Sequence, residues 1–308
     1  MSEIEQRRKL ALKMGGEEGI RRQHERGKLT VRERIDSLAD AGSFTQFMSM
    51  MGSAVYEGND LAQFTPRGAV EGFCRLDGRK VVLSGGDFTV RGGSGGTGGD
   101  LGMELASNRR AQEWRIPYVR LLDSSGGSVR SFEDIGRTYL PDGNVWSAID
   151  TQLLSEVPVV SAVMGSVAGL PAINACMAHF NLMVKDTSQL FPGGPPVVKA
   201  SLGYDITKEE LGGDKIHTRI SGVIDNLAQD EDDAFSQIKQ FLSYLPTNVW
   251  EAPPRTEADD DPTRSDSTLL SAIPRDRRKP YKIHKIIQAV FDRASFFEIA
   301  PDFGRSRV

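Results

Sequence analysis

Cysteine is scarce in this chain: Cys74 and Cys176 are the only two in 308 residues, and no C-x-x-C pair or histidine-spaced cluster is formed. That argues against a disulfide framework and against a structural zinc site, and both thiols are expected to be small buried hydrophobes. Histidine is as sparse. His24, His179, His217 and His284 are scattered without a carboxylate at metal-ligand spacing, so no metal centre is expected. Basic charge is not in excess either: 38 Lys and Arg stand against 42 Asp and Glu, a net charge of -4 with a pI near 5.7, which argues against nucleic acid as a partner. Long apolar runs are also missing. The most apolar stretch, Val157 to Ala178, is interrupted by Gly and Pro and contains Asn174, while the N-terminus is charged. Neither a membrane span nor a signal segment is read here, and the expected compartment is the cytoplasm, or the mitochondrial matrix in a eukaryote although no transit peptide is evident. Finally, there is no G-x-S-x-G elbow. Met164 to Ala168 falls one glycine short, so Ser124, Ser125, Ser128 and Ser166 are expected to be hydrogen-bonding turn residues rather than nucleophiles.

What is present is a pair of glycine turns in series. LDSSGGSVR (Leu122 to Arg130) and VPVVSAVMGSVAGLP (Val157 to Pro171) each run an apolar strand into a tight turn that opens a helix. The first N–H groups of a helix lack intrahelical partners, and glycine lets a ligand approach the backbone closely. Pro171 suits the first helical position, which leaves the N–H groups of Gly169 and Leu170 as a candidate oxyanion hole for an enolate or tetrahedral intermediate. A strand-to-helix connection kept small for packing is the competing reading of the bare pattern.

The order of elements implies an α/β protein. Residues 1–42 are highly charged and read as surface helices broken at Gly15, Gly16 and Gly27, and the globular part is expected from Ser43 to Val249. Strands are expected at Gly68–Phe73 and Lys80–Val90 around the turn Asp77–Gly78, then at Tyr118–Leu122 and Pro158–Val163. Helices are expected at Leu101–Trp114, Asn144–Ser155 and Pro171–Ala178, giving β-α units on a largely parallel sheet. Residues 250–267, rich in Pro, Asp and Glu, read as a linker, and 268–308 restart an amphipathic helix that begins a further unit.

One motif points elsewhere. Gly93, Gly95 and Gly98 satisfy G-x-G-x-x-G after the strand ending FTV, and Asp123 stands near the acidic position of a dinucleotide fingerprint. A nicotinamide oxidoreductase is therefore one reading. A flexible glycine loop over a site is the other, since GGSGGTGG holds more glycines than the fingerprint uses.

RGKLTVRERIDSLADAGSF, GDFTVRGGS, LLDSSGGSVR, VMGSVAGLP, FPGGPPVVKASLGYDITKEELGGDKIHTRISGVID and KPYKIHKIIQAVFDRASFFEIAPDFGRS, in that order, resemble the carboxyltransferase (β) subunit of biotin-dependent acyl-CoA carboxylases, nearest the propionyl-CoA and acetyl-CoA group. The resemblance implies a crotonase-like (ClpP/crotonase) fold of repeated ββα units, here the acyl-CoA-binding N-terminal half with the start of a second similar domain. It implies transfer of a carboxyl group from carboxybiotin to the α-carbon of a short acyl-CoA through an enolate held by backbone N–H donors, biotin itself acting as base. Biotin is then carried on a biotin carboxylase or carboxyl carrier partner, a coenzyme A thioester is the substrate, and the full-length form is a homo-oligomer, a hexamer in the family. The family's second oxyanion hole, for the biotin ureido oxygen, is expected outside this sequence.

Matched to the family's motifs, the A-G-G-A turn falls on Ala168, Gly169, Leu170 and Pro171, with Gly169 and Leu170 as the catalytic donors. The S-G-G-A-R turn falls on Ser125, Gly126, Gly127, Ser128 and, shifted by one, Arg130. Gly165 joins the acyl-CoA-binding set, and Phe191, Gly193, Gly194 and Pro195 match the segment beside the CoA. Leu170 replaces a glycine, Pro171 cannot donate, and Tyr204 stands where an acid is usual. Lys199, Arg120 and Arg130 are candidate contacts for CoA phosphates, and His217 is read as a structural histidine bonded to the following turn. Three alternatives stay open: a biotin-independent crotonase-type enzyme or decarboxylase, the oxidoreductase, and a non-catalytic assembly subunit.

Overall fold

The computed structural model describes residues 2–94, 106–127, 143–255, 260–261, 263–276, 278–293 and 295–305, with the backbone alone for 143–146. Three short helices come first, α1 (Glu3–Leu12), α2 (Gly16–Glu25) and α3 (Val31–Leu38). Thr30 starts α3 with a capping box: its hydroxyl accepts from the Glu33 N–H (3.3 Å) and Glu33 accepts from the Thr30 N–H (2.7 Å). The expectation that this segment lies on the surface holds for most of α1 and α2, where only Ala11 and Gln23 are buried, and fails at α3. Val31, Ile35 and Leu38 of α3 recur at helical spacing and are buried in the main core, so the globular unit begins before Ser43.

The sheet runs β1 (Thr45–Phe47), β4 (Ala69–Leu76), β5 (Arg79–Gly86), β6 (Tyr118–Ser124), β7 (Val159–Ala168), β8 (Phe180–Val184), β10 (Asn226–Ala228), while β2 (Gly52–Glu57) and β3 (Asp60–Pro66) form a separate hairpin. β4 and β5 are antiparallel across Asp77 and Gly78, whose φ values of 49° and 81° belong to the tight turns that match strand twist. From β5 onward every pairing is parallel. Each parallel step needs a crossover, and α4 (Ala106–Trp114), α5 (Gly143–Glu156) and α6 (Leu170–Cys176) stand in those places.

β7 is longer than its apolar run suggests, and it changes partner along its length. Val160 to Val163 pair β8, whereas Ser166 to Ala168 pair the short β9 (Gln189–Phe191). A register shift between Leu122 and Ser124 accompanies the change on the β6 side. Val159 to Met164 are all buried, as a strand covered on both faces requires. After β9 come α7 (Pro195–Leu202), α8 (Lys208–Gly212), a π-helical turn at Ile216–Ser221 and α9 (Glu231–Ser243), followed by α10 (Leu269–Ala272) and α11 (Ile283–Val290).

The described part of the last stretch lies on the first unit. Phe297 packs edge-on to Phe180, Asn226 bonds Glu298 O and the Ala300 N–H at 3.0 Å each, and Phe303 lies against Gly222. Among the described residues, no helix is long and apolar enough to cross a membrane.

Candidate active site

The carboxyl ends of β5, β6, β7 and β9 lie together, and the chain leaves them in closely apposed turns. After β7, Gly169 takes φ 70° and ψ -136° and caps α6, so that Leu170 is the first helical residue and Pro171 the second, one place later than expected. The Gly169 N–H points toward the end of β9, where it donates to Phe191 O (3.3 Å) and Pro192 O (3.2 Å). Gly169 is therefore not the free donor expected of it. The Leu170 N–H is: it has no acceptor among the described residues. Its direction is set by its own peptide plane, because Gly169 O accepts from the Ala172 N–H (3.0 Å) and the Ile173 N–H (3.4 Å) and so points into the helix. In a planar trans peptide the N–H then points out of the helix start.

Opposite stands the turn after β6. Gly126, at φ 81°, lies so close to the other turn that a Cβ on it would come within 2.6 Å of Ala168 O, and a Cβ on Gly169 would lie 3.8 Å from the Gly126 Cα. Gly126, Ala168, Gly169, Leu170 and Phe191 are thus brought together. Gly193 and Gly194 follow at the end of β9, Gly194 in contact with the Phe191 ring, and Pro195 opens α7. Gly127 continues the first turn, whereas Ser128 and Arg130 lie outside the described residues.

A third turn, Arg91–Gly93, closes over the β6 turn. Ser125 N–H donates to Gly92 O (2.8 Å), Ser124 Oγ to Gly93 O (2.7 Å) and Ser94 Oγ to Gly126 O (2.7 Å). This part of the glycine loop is anchored rather than free. Gly95 and Gly98 lie outside the described residues.

Several expected residues do other work. Gly165 does not face the two turns: a Cβ there would meet Asp123 Oδ1 at 2.1 Å and Lys28 Nζ at 2.6 Å, so it is a close-approach position over a buried ion cluster. Asp123, fully buried, accepts from Lys28 Nζ (2.8 and 3.0 Å), Arg34 Nη1 (3.0 Å) and Gln23 Nε2 (3.0 Å). A carboxylate so enclosed is not available to a ribose hydroxyl, which removes the acidic residue from the dinucleotide reading. Arg34 also spans to Glu231 (2.7 and 2.8 Å) and Met164 O (2.9 Å). Burial pushes the Lys28 ammonium below its ordinary pKa, and Asp123 opposes that shift. Nothing in the charged N-terminal composition marks Lys28 and Arg34 as internal, except that Arg34 lies between the core positions Val31 and Leu38.

Arg120 is no phosphate contact. It is buried, pairs with Asp150 (2.8 Å), and donates to Asn174 O (2.9 Å) and Met177 O (2.8 Å), the carbonyls at the far end of α6. Lys199 is exposed and pairs with Asp205 at 2.7 Å. His217 is structural, as expected, with Nε2–H donating to Leu190 O (2.7 Å) and Nδ1 facing Ser221 Oγ (3.0 Å). Ser166 Oγ donates to Gln189 Oε1 (2.5 Å) and accepts from Lys208 Nζ (3.2 Å), so no base is poised on it. Cys74 is buried, but Cys176 is exposed, against expectation, because it ends α6 at the surface.

An N–H at the start of α6 with no acceptor among the described residues, beside the close approach of Gly126 to Ala168 and Gly169, can hold a carbonyl oxygen that gains negative charge. Residues 22–308 match the carboxyl transferase domain family. The chain is 36% identical to the propionyl-CoA carboxylase carboxyltransferase subunit of Haloferax mediterranei, over all of this chain and 59% of that protein. It is 35% identical to the methylmalonyl-CoA decarboxylase subunit alpha of Veillonella parvula, over 93% of this chain and 56% of that protein. The solved structure of transcarboxylase 12S, a hexamer with hydrolysed methylmalonyl-coenzyme A bound, superposes with a TM-score of 0.86 at 28% identity, over 98% of this chain and 59% of that one. The fold is thereby the crotonase-like one that the motifs implied, and the chain spans a little over half the length of the curated relatives it matches.

Proposed function

Since the chain belongs to the carboxyl transferase domain family, we propose that it is the acyl-CoA-binding part of a biotin-dependent carboxyltransferase, acting on a short acyl-CoA such as propionyl-CoA. The observation that carries this reading is the Leu170 N–H, which has no acceptor among the described residues, is aimed out of the helix start by the capture of Gly169 O, and follows the Ala168–Gly169 backbone against which Gly126 packs. The thioester oxygen accepts from Leu170 N–H. When the α-proton leaves, the electron pair of the C–H bond moves onto that oxygen, and the enolate is stabilised by a donor already in place. In the carboxylation direction the pair would return from the oxygen through the α-carbon to form the C–C bond with CO2, released by cleavage of the carboxyl donor's C–N bond, while the donor nitrogen would keep that bond's electrons and take up the α-proton.

Among the described residues, no side chain at these turns is placed to remove the proton: Ser166, His217 and Asp123 are each committed to protein partners. A donor set made of backbone suits a cofactor that brings its own base, and biotin on a partner chain would supply both the carboxyl group and the proton acceptor. The acyl-CoA unit is taken as residues 43–249 together with α3 of the 1–42 segment, whose core positions Val31, Ile35 and Leu38 belong to it, with 250–267 as a connection and 268–308 as the approach to a second domain. A homo-oligomer, hexameric in the full-length form, is the expected assembly.

The same enolate serves decarboxylation run in the opposite direction, and the 35% identity to a methylmalonyl-CoA decarboxylase subunit favours that as the second reading. Calorimetric titration of the chain with propionyl-CoA, free CoA and NADH tests the proposal. Propionyl-CoA should bind more tightly than free CoA, and NADH should give no heat. Binding of NADH alone refutes the reading, and binding of none of the three points to an assembly subunit.

A further inference from the structure

We propose that Arg34 is a positioning residue for the thioester site, holding the offset between β6 and β7 that brings Gly126 against the Ala168–Gly169 backbone; this rests on the acyl-CoA reading above. Leu122 faces Val163 and Ser124 faces Val167, so β7 advances four residues where β6 advances two. Continued without that bulge, the register at Leu122 would set Gly126 opposite Val167, inside the strand. Continued from Ser124 and Val167, it sets Gly126 opposite Gly169, in keeping with the 2.6 Å and 3.6 Å that would separate a Gly126 Cβ from Ala168 O and Gly169 N. The bulge thus decides that the turn after β6 meets the turn after β7.

A bulge of this size leaves backbone without ladder partners. Pairing with β8 ends at Val163 and pairing with β9 begins at Ser166, so among the described residues Met164 and Gly165 pair with no strand on either side. Met164 is fully buried, where a carbonyl without a partner is costly. Arg34 supplies the partner: Nη2 donates to Met164 O at 2.9 Å, while Nη1 donates at 3.0 Å to the carboxylate of Asp123, the residue around which β7 bulges. One guanidinium therefore ties the two strands where their register changes.

The fork is aimed from outside the sheet. Glu231, at the start of α9, accepts from Arg34 Nε (2.8 Å) and Nη2 (2.7 Å), and α3 carries Arg34 between the core positions Val31 and Leu38. A planar guanidinium serves acceptors on three segments at fixed angles; a lysine ammonium in its place keeps the charge and loses that span. Lys28 also bonds Asp123, but its printed reach is to that carboxylate on β6 alone, so it does not tie β7.

The test measures the affinity ratio of propionyl-CoA to free CoA by calorimetry, and stability in urea, for wild type, Arg34→Lys, Glu231→Gln and the double variant R34Q/E231Q. The double variant removes the Arg34–Glu231 pair together and leaves Lys28 with Asp123, so it strands no charge and serves if R34K does not fold. E231Q unbalances the same buried cluster but leaves both strand contacts of Arg34 in place, which makes it the control for a merely structural role. The ratio should fall about tenfold in R34K and in R34Q/E231Q, and should stay within about twofold of wild type in E231Q although that variant also loses stability. The proposal is overturned if R34K and the double variant keep the wild-type ratio, or if E231Q loses it as they do. A wild-type chain that binds neither ligand, or both alike, refutes the acyl-CoA reading and this proposal with it.

Discussion

Gly126 and Gly78 share a φ of 81°, yet only one of them is crowded. A Cβ on Gly78 would meet nothing within 4 Å, whereas one on Gly126 would lie 2.6 Å from Ala168 O and 3.1 Å from Ala168 C. Alanine at either place meets the same left-handed backbone penalty, about 1–2 kcal/mol. Gly126→Ala must in addition push the turn after β6 away from Ala168 until the contact exceeds 3.0 Å, a separation of at least 0.4 Å that the backbone on both sides resists. Misplacement by about 1 Å can cost a positioned group roughly 100-fold in rate, so about a tenfold loss of propionyl-CoA affinity is expected for this smaller shift. G78A is the matched control: it should lose about 1–2 kcal/mol in urea denaturation and bind like wild type. If G126A proves indistinguishable from G78A in both stability and propionyl-CoA affinity, the close apposition of the two turns is not what builds the site.

Lys28→Met leaves Asp123 buried against Arg34 and Gln23 alone and should cost about 3–5 kcal/mol in denaturant unfolding, with part of that recovered in the K28M/D123N double variant. Ser166→Ala should keep propionyl-CoA affinity within about twofold, because its hydroxyl only bridges Gln189 and Lys208; a large loss of binding in a folded protein would make Ser166 part of the site after all. His217→Ala should cost about 1 kcal/mol of stability, for the lost bond to Leu190 O, and leave the ester bound. His179 accepts the Val159 N–H on Nδ1 and donates from Nε2 to Leu154 O, which requires the neutral ring, and burial lowers its pKa from 6.5. The unfolded chain then binds the proton more readily, so stability should be full above about pH 6.5 and decline as the pH falls below it. Thermal unfolding from pH 7.5 to 5.5 checks this: the His179→Gln variant should show a flatter decline, and an equally steep one would rule His179 out as the cause.

Much of the fold was legible in one dimension because its signals are local. The Asp77–Gly78 hairpin, the strand before Asp123 and the strand-turn-helix through Gly169 all follow from apolar runs and glycine placement. Element ends were less legible. β7 extends to Ala168 because β9, far along the chain, supplies a second partner, and helix α6 begins at Leu170 because Gly169 can hold a positive φ. Arg120, inside β6, and Asp123, near its end, read as surface or ligand-binding charges for the same reason: a charged residue reads as exposed until its partners, Asp150 in one case and Lys28 with Arg34 in the other, are brought to it.

By itself the sequence determined the chemistry available to this protein: few reactive side chains, two glycine turns in series, and motifs that place it among carboxyl transferases. The tertiary structure decided which backbone groups remain available. Gly169 and Leu170 are adjacent and equally plausible on paper, but the Gly169 N–H is taken by Phe191 and Pro192, while Leu170 N–H has no acceptor among the described residues and is aimed outward because Gly169 O is drawn into the helix. That selection depends on where each peptide plane finds its partner: Gly169 N–H is claimed by carbonyls more than twenty residues along the chain, which no local pattern encodes, whereas the Leu170 plane is held by the helix it opens.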